Sequence, residues 1–325
     1  MNGPAVPNEG PAAGYRSLLA AGELHRRAGA LEAMLASCEL CPRACRVDRR
    51  YELGKCSTGT APLVASWGPH LGEEPPLSGN AGSGTIFLAN CNLRCAFCQN
   101  PDISQRPADH IGRTCSVEEL AAVMLELQAQ GCHNINWVSP THQLPALVRA
   151  LAVAAEGGLR VPIVYNSNGY DSPAALTLLD GVVDVYMPDL KYADEDVAEE
   201  LSGIPHYPPS ARAAIAEMFR QLGPSWELAR DGTLRRGLLV RVLILPDGLA
   251  GVPETLAWLA DALSPEVAVS LMSQYRPCHR AASLTDRPGL SRTVDREEYF
   301  EAMRALARFN HSPHTMVQAF GGLRP

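Results

Sequence analysis

Three cysteines, Cys91, Cys95 and Cys98, stand in the segment Ala89-Asn90-Cys91-Asn92-Leu93-Arg94-Cys95-Ala96-Phe97-Cys98-Gln99-Asn100. Thiolates at x3 and x2 spacing can wrap three corners of a cubane [4Fe-4S] cluster, leaving the fourth iron without a protein ligand nearby. An open iron can bind a small molecule directly and pass it an electron. The alternative is a zinc site completed by a distant histidine, but structural zinc sites normally use paired Cys-x2-Cys knuckles.

A second group comprises Cys38, Cys41, Cys45 and Cys56, at x2, x3 and x10 spacing. Four soft donors in one short segment suit either a tetrahedral zinc ion or an additional iron–sulfur cluster. A metal-bound structural element is the preferred reading, because a loop-rich segment of this size commonly needs a metal to fold. A redox relay and a metal-free segment are the alternatives. The two groups contain seven of the ten cysteines, and in a reducing compartment such grouping points to metals rather than disulfides. Cys115, Cys132 and Cys278 fall outside and read as small buried hydrophobes.

These ligands need a scaffold, and the rest of the chain alternates strand-length apolar runs with helical spacing. Residues 85–89, 134–139, 162–167, 183–190, 238–245 and 267–272 read as six buried strands. Helices are expected over 15–37, from the capping box at Ser116 to Gln130, then over 144–154, 211–222, 254–263 and 296–309. Six such units predict an α/β fold, a partial (β/α)6 barrel with a parallel sheet whose ligands collect at the C-terminal strand ends. Cys91 follows the first of these strands. The expected organisation is a disordered tail over 1–14, a helix with a Cys-rich extension over 15–82, and the barrel over 83–325.

The Cys91-x3-Cys95-x2-Cys98 spacing, with Phe97 before the last cysteine, resembles the radical S-adenosylmethionine (SAM) superfamily. The runs 83–105, 134–145, 164–172, 187–192, 236–248 and 274–280 are similar to the pyruvate formate-lyase activating enzyme-like group, and 38–43 fits the N-terminal extension of that group. The resemblance implies a partial radical SAM barrel in which SAM chelates the open iron. Reductive cleavage then yields methionine and a 5′-deoxyadenosyl radical, which abstracts hydrogen from a substrate. It further implies an electron donor such as flavodoxin or ferredoxin. An activase would act on a glycine of a partner protein; peptides and small molecules are equally open. A protein that binds SAM and cluster without turnover is the reading from a different class.

The same resemblance implies site residues. Ser139-Pro140-Thr141-His142 stands where the superfamily has a Gly-Gly-Glu-type turn for the SAM amino group, which leaves Ser139, Thr141 and His142 as candidates. Asn166, Ser167 and Asn168 occupy a ribose-side strand end. Asp189, Lys191, Arg241 and Gln274 are expected at SAM, together with Phe97 and Asn100 from the cysteine loop. Arg276, Cys278 and His279 are substrate-side candidates. Each has a plainer alternative: a structural Asp189–Lys191 ion pair, an Arg241 paired only with a neighbouring carboxylate, or a His142 that merely packs.

Composition narrows the class. The chain has 325 residues and a net charge of −7, with no basic stripe interleaved with aromatics, so a nucleic-acid partner is not expected. No apolar run approaches the roughly 18 residues that span a bilayer. The first residues carry no basic and apolar leader pattern, which leads to an expected cytoplasmic location.

Overall fold

The computed structural model describes residues 13–105 and 112–321. Ten strands form one sheet: β1 Leu63–His70, β2 Ser83–Leu88, β3 Arg113–Thr114, β4 Ile135–Val138, β5 Ile163–Ser167, β6 Val185–Pro188, β7 Glu227–Leu228, β8 Leu234–Leu243, β9 Ala268–Met272 and β10 Met316–Val317. Their order is β10-β9-β8-β6-β5-β4-β2-β1-β3, with β7 hairpinned onto β8. Pairing from β2 through β4, β5, β6 and β8 to β9 is parallel throughout. These are the six expected strands, and the sheet is an open partial barrel.

Helices make the crossovers. Val117–Ala129 precedes β4, Leu144–Glu156 precedes β5, Pro173–Thr177 precedes β6, and Val252–Ala262 precedes β9. Ser116 and Glu119 form the expected capping box, each side chain satisfying the other's backbone N–H. Every residue of β5 and β9 is buried, as strands covered on both faces must be. Trp137, Tyr165 and Tyr186, all buried, point to the helix-covered face of the sheet, where the Tyr186 hydroxyl donates to Gln221 at 2.8 Å; their neighbours Val164, Val185 and Met187 face the barrel interior.

Several expectations need correction. The single helix expected over 15–37 is two helices, Gly14–Ala20 and Glu23–Ala33, followed by a 3-10 turn at Met34–Ser37. Gly22 at φ 71° breaks it, a left-handed conformation that glycine adopts without steric cost. Of the tail expected over 1–14, residues 1–12 lie outside the described residues. Ala13 is buried, and Gly14 N–H donates to the Asp184 carboxylate at 2.8 Å. The sheet begins at Leu63, ahead of the expected boundary at 83. Strand β1 pairs antiparallel with β2 at the edge, where Gly68 and Pro69 are tolerated and where they obscure the strand period. The helix Glu195–Ser202 and the short parallel β10 were not foreseen either.

The N-terminal helices seal the outside of the barrel. Tyr15 is fully buried and donates its hydroxyl to the Val161 carbonyl at 3.0 Å, while the Arg16 guanidinium donates to the Ala155 and Leu159 carbonyls. Leu24 and Leu31 complete that buried face. Tyr15→Ala is expected to destabilise the fold by about 3–5 kcal/mol, through the cavity it leaves and the carbonyl it strands. Urea denaturation monitored by circular dichroism measures the loss directly.

Candidate functional site

All six parallel strands end on one face, and the residues beyond them surround a cavity of about 1160 Å³. The chain must turn sharply to leave two of these strands. Asn90 after β2 and Ser139 after β4 both take positive φ, 69° and 56°, which is uncommon for residues with a side chain. Asn90 is held there because its N–H donates to the Ile103 carbonyl at 2.7 Å and its side-chain amide to the Ser57 carbonyl at 3.0 Å.

The cysteine loop is clamped from several sides. Arg94 N–H donates to the Ser202 carbonyl at 3.0 Å and Ala96 N–H to the Leu201 carbonyl at 2.7 Å; Arg280 N–H donates in turn to the Ala96 carbonyl at 2.8 Å. Cys91, Cys95 and Cys98 all border the cavity. Cys91 Sγ accepts from Leu93 N–H and from the Asn168 amide, each at 3.4 Å. Cys95 Sγ accepts from the Ser202 hydroxyl at 3.0 Å, and Cys98 Sγ lies 3.1 Å from Ser104 Oγ. Burial pushes the Cys91 thiol up, and pushes Cys95 up to about 11.

The donor chemistry suits a cluster, because three thiols stand on one cavity wall and a cubane holds each thiolate on its own iron. Cys91, Cys95 and Cys98 face the cavity as its ligands would, and the hydrogen bonds to their sulfurs are of the kind that tune a cluster's potential.

Across the cavity lies a network of buried charge. Arg241 Nε donates to Asp189 Oδ1 at 2.8 Å, and a second guanidinium nitrogen donates to Asn166 Oδ1 at 2.7 Å. Lys191 Nζ is 2.6 Å from Asp189 Oδ2. Glu73 approaches Arg241 at 3.7 Å and accepts from the Asn136 amide at 3.1 Å. Burial opposes ionisation of Asp189, but the Arg241 guanidinium and the Lys191 ammonium more than offset it and hold the carboxyl below its usual range. At Glu73 burial wins over Arg241, and the carboxyl is raised.

The structure brings most of the expected residues together. Phe97, Asn100, Ser139, Asn166, Ser167, Asn168, Asp189, Lys191, Arg241 and Gln274 share the cavity wall with the three cysteines, as does Arg276. Thr141 and His142 are the exceptions and correct the expectation for that turn. After Ser139 the chain enters a buried 3-10 turn, where Thr141 Oγ1 donates to Asp171 at 2.6 Å and His142 Nε2 meets the Ala89 carbonyl at 2.9 Å. Cys278 and His279 also lie off the wall. Sequence reasoning missed Glu73, Ser202, Ser104 and the buried Asp171. Asp171 gathers hydroxyl donors from Thr141, Tyr165 and Ser167. Nothing in their local sequence marks them; only the packing of distant segments does.

Comparison with known proteins agrees with this architecture. The profile of the Radical SAM superfamily matches residues 85–227. The chain is 29% identical over 280 residues to an uncharacterized protein of Methanocaldococcus jannaschii, an alignment covering 84% of this chain and 75% of that protein.

Removing the anion at the centre of the network tests its electrostatics. Asp189→Ala leaves Arg241 and Lys191 buried without their shared partner and is expected to cost about 3–5 kcal/mol of stability. The measurement is the urea midpoint and slope of the variant against the parent; a loss below about 1 kcal/mol would mean that solvent screens the network.

Proposed function

With a Radical SAM superfamily domain at residues 85–227 as the premise, we propose that the protein is a radical SAM oxidoreductase, related in type to glycyl-radical activating enzymes. The observation that carries the reading is the single cavity. It is bordered at once by Cys91, Cys95 and Cys98 and by polar side chains from the ends of the other strands. A [4Fe-4S] cluster with SAM bound would supply one-electron reduction of the sulfonium and so the radical chemistry that abstracts hydrogen from a substrate.

This chain's residues do the holding and orienting. Cys91, Cys95 and Cys98 would hold the cluster. Arg241 and Lys191, fixed by Asp189, offer cationic donors to a carboxylate, and a guanidinium suits that task by its forked geometry. Asn166 offers a side-chain amide N–H for a ribose oxygen, while Ser167 and Asn168 brace that strand end through Asp171 and Asn92. Phe97 and Tyr275 meet edge to face, ring centroids 5.9 Å apart, and Gln274 stands beside them, forming an apolar wall with a polar end suited to adenine. The cavity exceeds the ~300–1,000 Å³ of ordinary small-molecule sites, which leaves room for a substrate beside SAM. A glycine-bearing loop of a partner protein is the substrate that the activase-like reading names, with flavodoxin or ferredoxin as electron donor.

The test is anaerobic. After reconstitution with iron and sulfide, reduction and addition of SAM, the parent protein is expected to release 5′-deoxyadenosine. A variant carrying Cys91→Ala, Cys95→Ala and Cys98→Ala is expected to release none. A parent protein with a formed cluster and bound SAM that yields no product, with or without candidate substrates, would support binding without turnover instead.

A further inference from the structure

The cysteine loop has two sides. Cys91, Leu93, Cys95, Phe97 and Cys98 border the large cavity, whereas Arg94 and Ala96 between them do not. Ala96 is buried, and its carbonyl accepts from Arg280 N–H at 2.8 Å.

Four cations meet on this outer side. The Arg280 guanidinium donates to the Arg94 carbonyl at 3.2 Å, and Arg94 donates in turn to the Leu93 carbonyl at 2.9 Å and the Lys55 carbonyl at 3.3 Å. Arg43 donates to the Asn92 carbonyl at 2.7 Å and the Gly203 carbonyl at 3.0 Å. Gly203 stands against Arg94, since a Cβ built on it would lie 3.8 Å from the Arg94 Cβ. Lys55 and Arg280 are exposed, Arg43 and Arg94 partly so. None of the four borders the cavity.

Their partners set them apart. Elsewhere on the surface Arg26, Arg220, Arg287 and Arg292 each sit on a carboxylate. Arg43, Arg94 and Arg280 instead donate to main-chain carbonyls, which orient a guanidinium without neutralising it. The Lys55 ammonium has no partner among the described residues. Glu39 and Glu200, close along the chain to Arg43 and Gly203, are engaged by Arg46 and Arg287, which leaves Glu52 and Glu199 as the exposed acids nearest in sequence. On a chain of net charge −7, the outer face of the loop is therefore locally positive. Arg43 and Lys55 come from the irregular segment between Ser37 and Leu63, where they also line the small hollow bordered by Cys38, Cys41, Cys45 and Cys56. Arg94 and Arg280 do not line that hollow, so the positive face extends beyond it.

We propose that this face, formed by Arg43, Lys55, Arg94 and Arg280, is the docking surface for a small acidic electron-carrier protein. A carrier seated there is separated from Cys95 by little more than the loop's own backbone. Reduced flavodoxin or ferredoxin would lose one electron and pass it inward across that layer. Complementary charge speeds and orients such encounters, and the negative charge over the rest of the chain disfavours other approaches. Redox encounters of this kind use small interfaces, so no large apolar patch is needed. The need for an electron rests on the function proposed above; the charged face does not.

The test uses the full chain, reconstituted anaerobically, with an acidic flavodoxin and an acidic ferredoxin as probes. Binding is measured by titration with the oxidised carriers, and cluster reduction by the loss of visible absorbance when the reduced carriers are added. The double variant Lys55→Glu, Arg280→Glu is expected to bind at least about tenfold more weakly and to be reduced correspondingly more slowly. Raising the salt from about 50 to about 300 mM is expected to weaken parent binding and to leave the variant little changed. Reduction by dithionite, which needs no docking surface, is expected to be the same in both. Should the double reversal disturb dithionite reduction, Lys55→Glu alone, which removes no hydrogen bond, carries the same comparison. Equal affinity of parent and variant for both carriers, or no binding of either carrier to the parent, overturns the proposal. A parent protein that binds a carrier in this charge-dependent way but releases no 5′-deoxyadenosine with dithionite and SAM would refute the radical chemistry and leave the docking surface standing.

Discussion

Asp189 is an anion where burial opposes ionisation, and much of the site's geometry follows from how the fold satisfies it. Two cations share the carboxylate: Arg241 from β8 and Lys191 two residues further along its own chain. Because Arg241 also reaches Asn166, one guanidinium ties together the C-terminal ends of β5, β6 and β8. Removing the Asp189 carboxylate leaves two cations buried without their shared partner, a far larger cost than the loss of an exposed ion pair would carry. The cavity floor is therefore rigid for an electrostatic reason.

Close packing reinforces that floor. Gly169 passes so near the Asp189 carbonyl that a Cβ would collide with it, and its φ of 80° disfavours any other residue. Tyr207 donates to the Asn168 and Asp189 carbonyls and accepts from Lys191 N–H, so one buried hydroxyl registers two strand ends. Tyr207 also stacks on Tyr170 and meets Tyr192 edge to face, and Tyr192 meets Phe97. An aromatic chain thus runs from the charge network to the cysteine loop.

That loop has no regular structure of its own and takes its shape from its neighbours. Ser202 touches Cys95 from one side, itself hydrogen-bonded to Tyr192 at 2.6 Å. From the other side, Arg43 donates to the Asn92 carbonyl at 2.7 Å, and Asn90 reaches Ser57 and Thr58. The N-terminal cysteine segment is therefore part of the wall that shapes the loop. A change of order in that segment would be felt at Cys91.

Local spacing determined the strongest conclusions. Three thiols within eight residues can wrap a cluster whatever surrounds them, and apolar runs alternating with helical periods imply a parallel sheet, because each strand is buried on both faces. The capping box at Ser116 and the helix Arg296–Phe309 were legible for the same reason: their signals lie within a few residues of chain. Edge elements were not. Strand β1 carries Gly68 and Pro69 and exposes one face, so neither composition nor period marked it. The placement of Glu73 beside Arg241, of Ser202 on Cys95, and of Thr141 and His142 away from the cavity belongs to the tertiary structure alone. Each depends on segments tens of residues apart meeting, and on the burial that gives a carboxylate, a hydroxyl or an imidazole its chemistry once they do.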